Sequence, residues 1–154
     1  MAQPGERLRR ARQILLVTLV IVGLGLLLAS CPANRDGMPG QLARAMEETT
    51  SAARSGVLAL DLWTRGRSTT QLASVQISDS RDDVAKAYNG IADLRAQDPV
   101  DVRRQRMLTE SMTAIIGQLN TASAVLRDVS AQPRVATVRS ELLKSAHELE
   151  SGYR

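Results

Sequence analysis

The chain has 154 residues, a net charge of +4 and 44% hydrophobic residues, with Trp63, Tyr88 and Tyr153 as its only aromatics. Four of its 20 basic residues fall before position 13, and residues 31–154 keep 16 basic against 15 acidic residues, a balance of +1. A pI near 10 invites a nucleic-acid partner, but the remaining charges alternate in sign as on solvated helix faces, and no basic run is interleaved with stacking aromatics; nucleic acid is excluded on that ground.

The first element is a leader. Arg7, Arg9, Arg10 and Arg12 face one acid, Glu6, and Ile14 to Leu28 then run for 15 residues without a charge. A basic segment, a short apolar segment and small residues before a cut site make a secretory signal. At 1.5 Å per residue the apolar segment spans roughly 23–26 Å, short of the ~30 Å hydrocarbon core. The other reading is an uncleaved N-terminal anchor helix with its arginines in the cytoplasm, as the positive-inside rule requires. Either way residues 32–154 lie on the outer side. Arg9-Arg10 is a twin arginine without the apolar pair expected after it, which points to general secretion.

The leader ends in Leu28-Ala29-Ser30-Cys31, and Cys31 is the only cysteine. This run resembles the lipobox of bacterial lipoproteins. The resemblance implies cleavage between Ser30 and Cys31 and a thioether-linked diacylglycerol on Cys31, with palmitate-type chains as the membrane partner. Two acyl chains meet the requirement for stable anchoring. A lone cysteine also argues against disulfides, since an exported domain that used them would carry an even number.

Three segments are therefore expected: a signal peptide or anchor over 1–30, a lipidated cysteine with a flexible tether over 31–40, and a helical bundle over 41–154. The tether holds Pro32, Gly37, Pro39 and Gly40 and reaches at most about 30 Å when extended. Beyond it, apolar residues recur at spacings of three and four. Helix one, about 40–65, places Leu42, Met46, Thr49, Ala53, Gly56, Leu60 and Trp63 on one stripe and stops at Gly66. Helix two, about 68–97, has Ser68 or Thr69 as N-cap and aligns Ala73, Ile77, Ser80, Val84, Ala87, Ile91 and Leu94; Ser78-Asp79-Ser80 is its weakest stretch. Helix three, about 99–131, opens on Asp98-Pro99 and aligns Leu108, Met112, Ile115, Leu119, Ala122, Leu126 and Val129. Helix four, about 133–150, presents Val135, Val138, Leu142, Ser145 and Leu149.

Strand signals are poor, because period-two alternation is absent. The expected fold is all-α: an antiparallel up-down bundle of four helices. The alternative is three helices, with Pro133 kinking one long third helix.

Little chemistry is offered. His147 is the only histidine and lies off its helix stripe, so neither a metal site nor a serine triad is supported. Glu47-Glu48 and Asp82-Asp83 are adjacent on helices and do not face each other. No catalytic residue, metal or cofactor is assigned, and an enzyme is not expected. Two features stand out. Arg95, Arg103, Arg104 and Arg106 fall at the end of the bundle nearest the tether, as membrane-surface contacts or as solvated charges balanced by Asp93, Asp98, Asp101 and Glu110. Met46, Tyr88, Met107 and Met112 fall where helix four is too short to cover the bundle, as an apolar groove or as ordinary core.

Eighteen arginines against two lysines fit a GC-rich genome. Leader, lipobox and helix pattern together resemble the small helical cell-envelope lipoproteins of such bacteria, actinobacteria among them. The resemblance implies a lipid-anchored protein on the extracytoplasmic face of the membrane, with an envelope protein as partner. A tethered interaction or scaffold module is the expected function. A carrier or sensor of an apolar ligand or lipid in the periplasmic space is the alternative.

Overall fold

The structure is a computed structural model that describes residues 37–128 and 132–153. Helix α1 spans Gly37–Thr64, α2 Thr70–Ala92, α3 Pro99–Leu126 and α4 Val135–Tyr153; no strand occurs among the described residues. The described residues form four helices rather than three, and Pro133 lies in the connection before α4 instead of inside a helix.

The apolar stripes became the core. Leu42, Leu60, Ile77, Val84, Leu108, Met112, Ile115, Leu119, Leu142 and Leu149 are all at most 1% exposed. Each such side chain contributes about 1.5–3 kcal/mol on burial, against roughly 0.2–1 kcal/mol for an exposed ion pair, so aliphatic contact dominates. Alanines fill the seams: Ala45, Ala52, Ala53, Ala59, Ala73, Ala87, Ala122 and Ala146 are buried too. Short side chains there let helix axes approach closely. Among the described glycines, Gly56 is the most crowded: a Cβ there would stand 2.8 Å from Leu119 Cδ2, 3.2 Å from Leu142 Cδ2 and 3.5 Å from Ile77 Cδ1. One side chain from each of the other three helices meets the α1 backbone at that point.

Helix α1 packs on α2, α3 and α4; α3 also touches α2 and α4, and the backbones of α2 and α4 stay apart. The cross-links have a consistent order. Asp61 pairs with Arg139 at 3.2 Å, and the Tyr153 hydroxyl donates to the Pro39 carbonyl at 3.3 Å. Gln118 Nε2 donates to Ser145 Oγ at 2.9 Å. Asp61 also takes Arg65 at 2.9 Å, so the last turn of α1 and the start of α4 share one carboxylate.

The helix ends follow local chemistry and differ in places from the pattern of the sequence. Gly66, at φ +67°, ends α1: its N–H donates to the Trp63 carbonyl and the Arg67 N–H to the Leu62 carbonyl. Those are the two bonds of a Schellman cap. Thr69 caps α2 by accepting from the Leu72 N–H at 3.2 Å. Asp98 caps α3 by accepting from the Val100 N–H at 2.7 Å, with Pro99 beginning the helix. Helix α2 runs unbroken through Ser78-Asp79-Ser80, with Ser80 buried.

Helix α2 stops at Ala92 instead of about 97, because Asp93 turns its N–H back to the Ile91 carbonyl and Asp98 is held extended before proline. Helix α3 ends at Leu126, two residues before Asp128 takes the left-handed conformation at φ +54°; Val129 and the expected stop near 131 lie outside the described residues. Helix α1 begins at Gly37, three residues before the expected start, and α4 runs on to Tyr153.

Candidate functional site

The end of the bundle where α1 begins is built by four pieces of chain. Tyr153, in the last turn of α4, reaches the Pro39 carbonyl in the first turn of α1. The Arg104 guanidinium, one turn into α3, lies over the Tyr153 ring at 5.3 Å from its centroid. That is cation–π distance. Arg104 also stands 3.9 Å from Asp101, an acid only 8% exposed in the first turn of α3, where the helix dipole favours negative charge. Burial pushes the Tyr153 phenol above its ordinary range; Arg104 pulls it down and Asp101 pushes it further up.

The fourth piece is the α2–α3 turn. Gln105 Nε2 donates to the carbonyls of both Ile91 and Leu94, at 2.6 and 2.8 Å. The Ile91 carbonyl, in the last turn of α2, also accepts the Asp93 and Leu94 N–H groups, and Leu94 lies just beyond the helix end, so one amide group from α3 ties the end of α2 to its turn. The turn carrying Arg95 is thereby fixed to α3.

The four arginines singled out by the sequence divide. Arg104 is half-buried and engaged. Arg95, Arg103 and Arg106 are exposed and make no ion pair among the described residues. Of the four acids set against them, Asp101 alone meets one, through Arg104; Asp98 serves as the α3 cap.

The four residues of the expected apolar groove are not gathered in one depression. Met112 is fully buried in the core. Met107 packs half-buried against it, with the Gly152 backbone close enough that a Cβ there would stand 3.6 Å from its sulfur. Helix α4 thus extends over this part of α3. Met46 lines a depression of about 560 Å³ with Thr50, Arg54, Leu58 and Glu150, crossed by the 2.7 Å Arg54–Glu150 ion pair. Tyr88 lines another of about 400 Å³ with Leu94, Val102, Gln105 and Arg106.

Among the described residues, no three His, Cys, Asp or Glu side chains group so as to hold a metal ion. His147 is exposed on α4. Glu48 and Asp82 are spent on local pairs with Arg44 and Arg81. Ser30, Cys31 and the rest of the leader lie outside the described residues, and no described helix is long and apolar enough to cross a membrane.

Sequence reasoning did not find Gln105, the Tyr153–Pro39 link or Asp61 as a shared carboxylate. A glutamine inside a helix and a tyrosine in its last turn carry no periodic signal, so nothing in the pattern marks them. No protein-family model, curated protein or solved structure matches this chain.

Proposed function

We propose that the protein is a lipid-anchored helical module on the outer face of a bacterial membrane, and that it works by holding an envelope protein near that surface rather than by catalysis. The observation that carries this reading is Leu28-Ala29-Ser30-Cys31 at the end of an uncharged segment of 15 residues preceded by four arginines. Basic start, short apolar run and small residues before a lone cysteine are the order that export and lipid attachment at Cys31 require. A binding role draws on the exposed arginines Arg95, Arg103 and Arg106, which have no ion-pair partner among the described residues.

The bundle is read as antiparallel and up-down. Pairing of Asp61 with Arg139 and of Pro39 with Tyr153 runs α4 against α1. Gln105 at the Ile91 carbonyl turns α3 back on α2, and Met107 beside Gly152 with Gln118 at Ser145 runs α4 against α3. In that order the start of α1, the α2–α3 turn and the end of α4 share one end. Six residue steps separate Cys31 from Gly37, about 20 Å when extended, so that shared end is the one held near the bilayer.

The test is metabolic labelling with an alkyne fatty acid in a bacterial host. Label on the wild-type chain in the membrane fraction, absent from Cys31→Ser, is expected. An unlabelled wild type, or label that survives Cys31→Ser, overturns the anchor. Crosslinking of intact cells is expected to yield a stoichiometric protein partner with the lipidated chain and not with Cys31→Ser; recovery of the free chain alone from both overturns the interaction role.

A further inference from the structure

Exposed apolar and basic side chains coincide at the end of the bundle built by Pro39, Gln105 and Tyr153. Val100 and Val102, in the first turn of α3, are 43% and 40% exposed. Single exposed valines need no explanation, but these stand beside Arg103, with Arg106 one turn on and Arg95 in the fixed α2–α3 turn. Side chains on a helix lean toward its N-terminus. Those of the first turns of α3 therefore lean off this end of the bundle instead of lying along its flank.

The charge there is uneven in accessibility. Asp101 is buried beside Arg104 and the Asp98 carboxylate accepts the Val100 N–H. Asp93 and Asp98 are exposed, against three exposed arginines without ion-pair partners among the described residues, Arg95, Arg103 and Arg106. Arginine suits phosphate oxygens through its fork of N–H donors.

We propose that this end of the bundle docks on the headgroup layer of an anionic phospholipid bilayer, with Arg95, Arg103 and Arg106 on lipid phosphates and Val100 and Val102 at the acyl boundary. The inference rests on the lipid anchor at Cys31, which keeps the start of α1 within about 20 Å of the bilayer. Within that reach the domain either tumbles on its tether or settles with one end down. Arg67, Arg127 and Arg134 are also exposed without ion pairs among the described residues, so it is the reach of the tether that selects the end with Arg95, Arg103, Arg106 and the exposed valines. Gln105 and the Tyr153–Pro39 link hold that end in one shape, so docking requires no rearrangement. Each arginine at the surface of an anionic membrane shifts the docked-to-free ratio about fivefold, and the attraction fades as salt shortens the screening length.

The test uses the full lipidated chain in vesicles. Since Cys31 is the sole native cysteine and its sulfur is blocked by lipid, Val102→Cys supplies one thiol for an environment-sensitive fluorophore. Leu143→Cys, at an exposed position about 15 Å up α4 from Tyr153, is the control. Expected is a blue shift and brighter emission at position 102 in phosphatidylglycerol-containing vesicles but not in neutral phosphatidylcholine vesicles. The response is to be reversed by high salt, and position 143 is to stay silent.

Arg103→Gln with Arg106→Gln should lower the docked-to-free ratio about 25-fold, with helical circular dichroism unchanged. Equal emission at position 102 on both vesicle types, or an equal response at position 143, overturns the proposal. Mass analysis of the same samples separates the two failures. A lipidated Cys31 with a silent probe at 102 overturns docking alone, whereas an unmodified Cys31 overturns the anchor and the docking together.

Discussion

At Gly56 an aliphatic side chain from each of the other three helices packs on the α1 backbone, whereas at the end that holds Pro39, Gln105 and Tyr153 polar side chains reach the backbone carbonyls of neighbouring elements. In the middle, Ile77, Leu119 and Leu142 crowd a backbone bare of any side chain. At the end, one amide serves two carbonyls and one phenol ties the last helix to the first. Hydrophobic contact has no direction and scales with buried area, so the middle sets how stable the bundle is. Hydrogen bonds are directional and individually modest in net energy, so the end sets the shape of the surface presented. The difference implies that stability and surface function are separable in this protein: substitutions in the middle should cost folding, and those at the end should chiefly alter local order and binding.

The strongest break of that contrast is Leu119→Ala. Leu119 is fully buried, and its truncation is expected to cost about 2–5 kcal/mol in urea unfolding followed by helical circular dichroism. A loss well under 1 kcal/mol would show that the middle collapses to fill the space and is less tightly packed than its geometry implies.

A pair of glycine substitutions sharpens the same point with opposite signs. Gly56→Ala drives a methyl against Leu119 and Leu142, and overpacking of that kind costs about 1–3 kcal/mol. Gly117→Ala meets nothing within 4 Å and should stabilise α3 by about 0.8–1 kcal/mol through helix propensity. Equal effects from both would erase the special status of Gly56.

At the end, Gln105→Ala strips the Ile91 and Leu94 carbonyls of their shared donor. The expected cost is about 1–2 kcal/mol, smaller than that of Leu119→Ala. Hydrogen exchange should quicken at the Asp93 and Leu94 amides while the middle of α3 stays protected. A uniform increase in exchange along the chain would mean that the end and the middle unfold as one unit.

Much of the fold was legible because burial in a helix repeats. Ala73, Ile77, Ser80, Val84, Ala87 and Ile91 lie on one stripe, and every one is buried. Asp98-Pro99, Thr69 and Gly66 marked helix ends through chemistry that acts within a few residues. An error arose where the stop was decided by a partner or a backbone state that composition does not encode: Ala92 ends α2 although Leu94 continues its apolar spacing.

Of the two expected surface features, the arginines divide: Arg104 is half-buried against Tyr153 and Asp101, while Arg95, Arg103 and Arg106 are exposed. The methionines did not gather in one place: Met112 is core, and Met46 lines a depression separate from that of Tyr88. Helix length was the misleading signal there. Expected to stop near 150, α4 continues to Tyr153 and lays Gly152 beside Met107.

The sequence by itself determined that the described chain is helical, which face of each helix is apolar, and that Cys31 closes a short uncharged run behind four arginines. Those are properties of periodicity and local order, written within a few turns of chain. Only the tertiary structure decided that Gly56 is a point where all four helices meet, that Gln105 ties the end of α2 to its turn, and that Tyr153 joins α4 to α1. Each of these depends on residues 11 to 114 positions apart, and contact across such distances is fixed by packing, which no local pattern records.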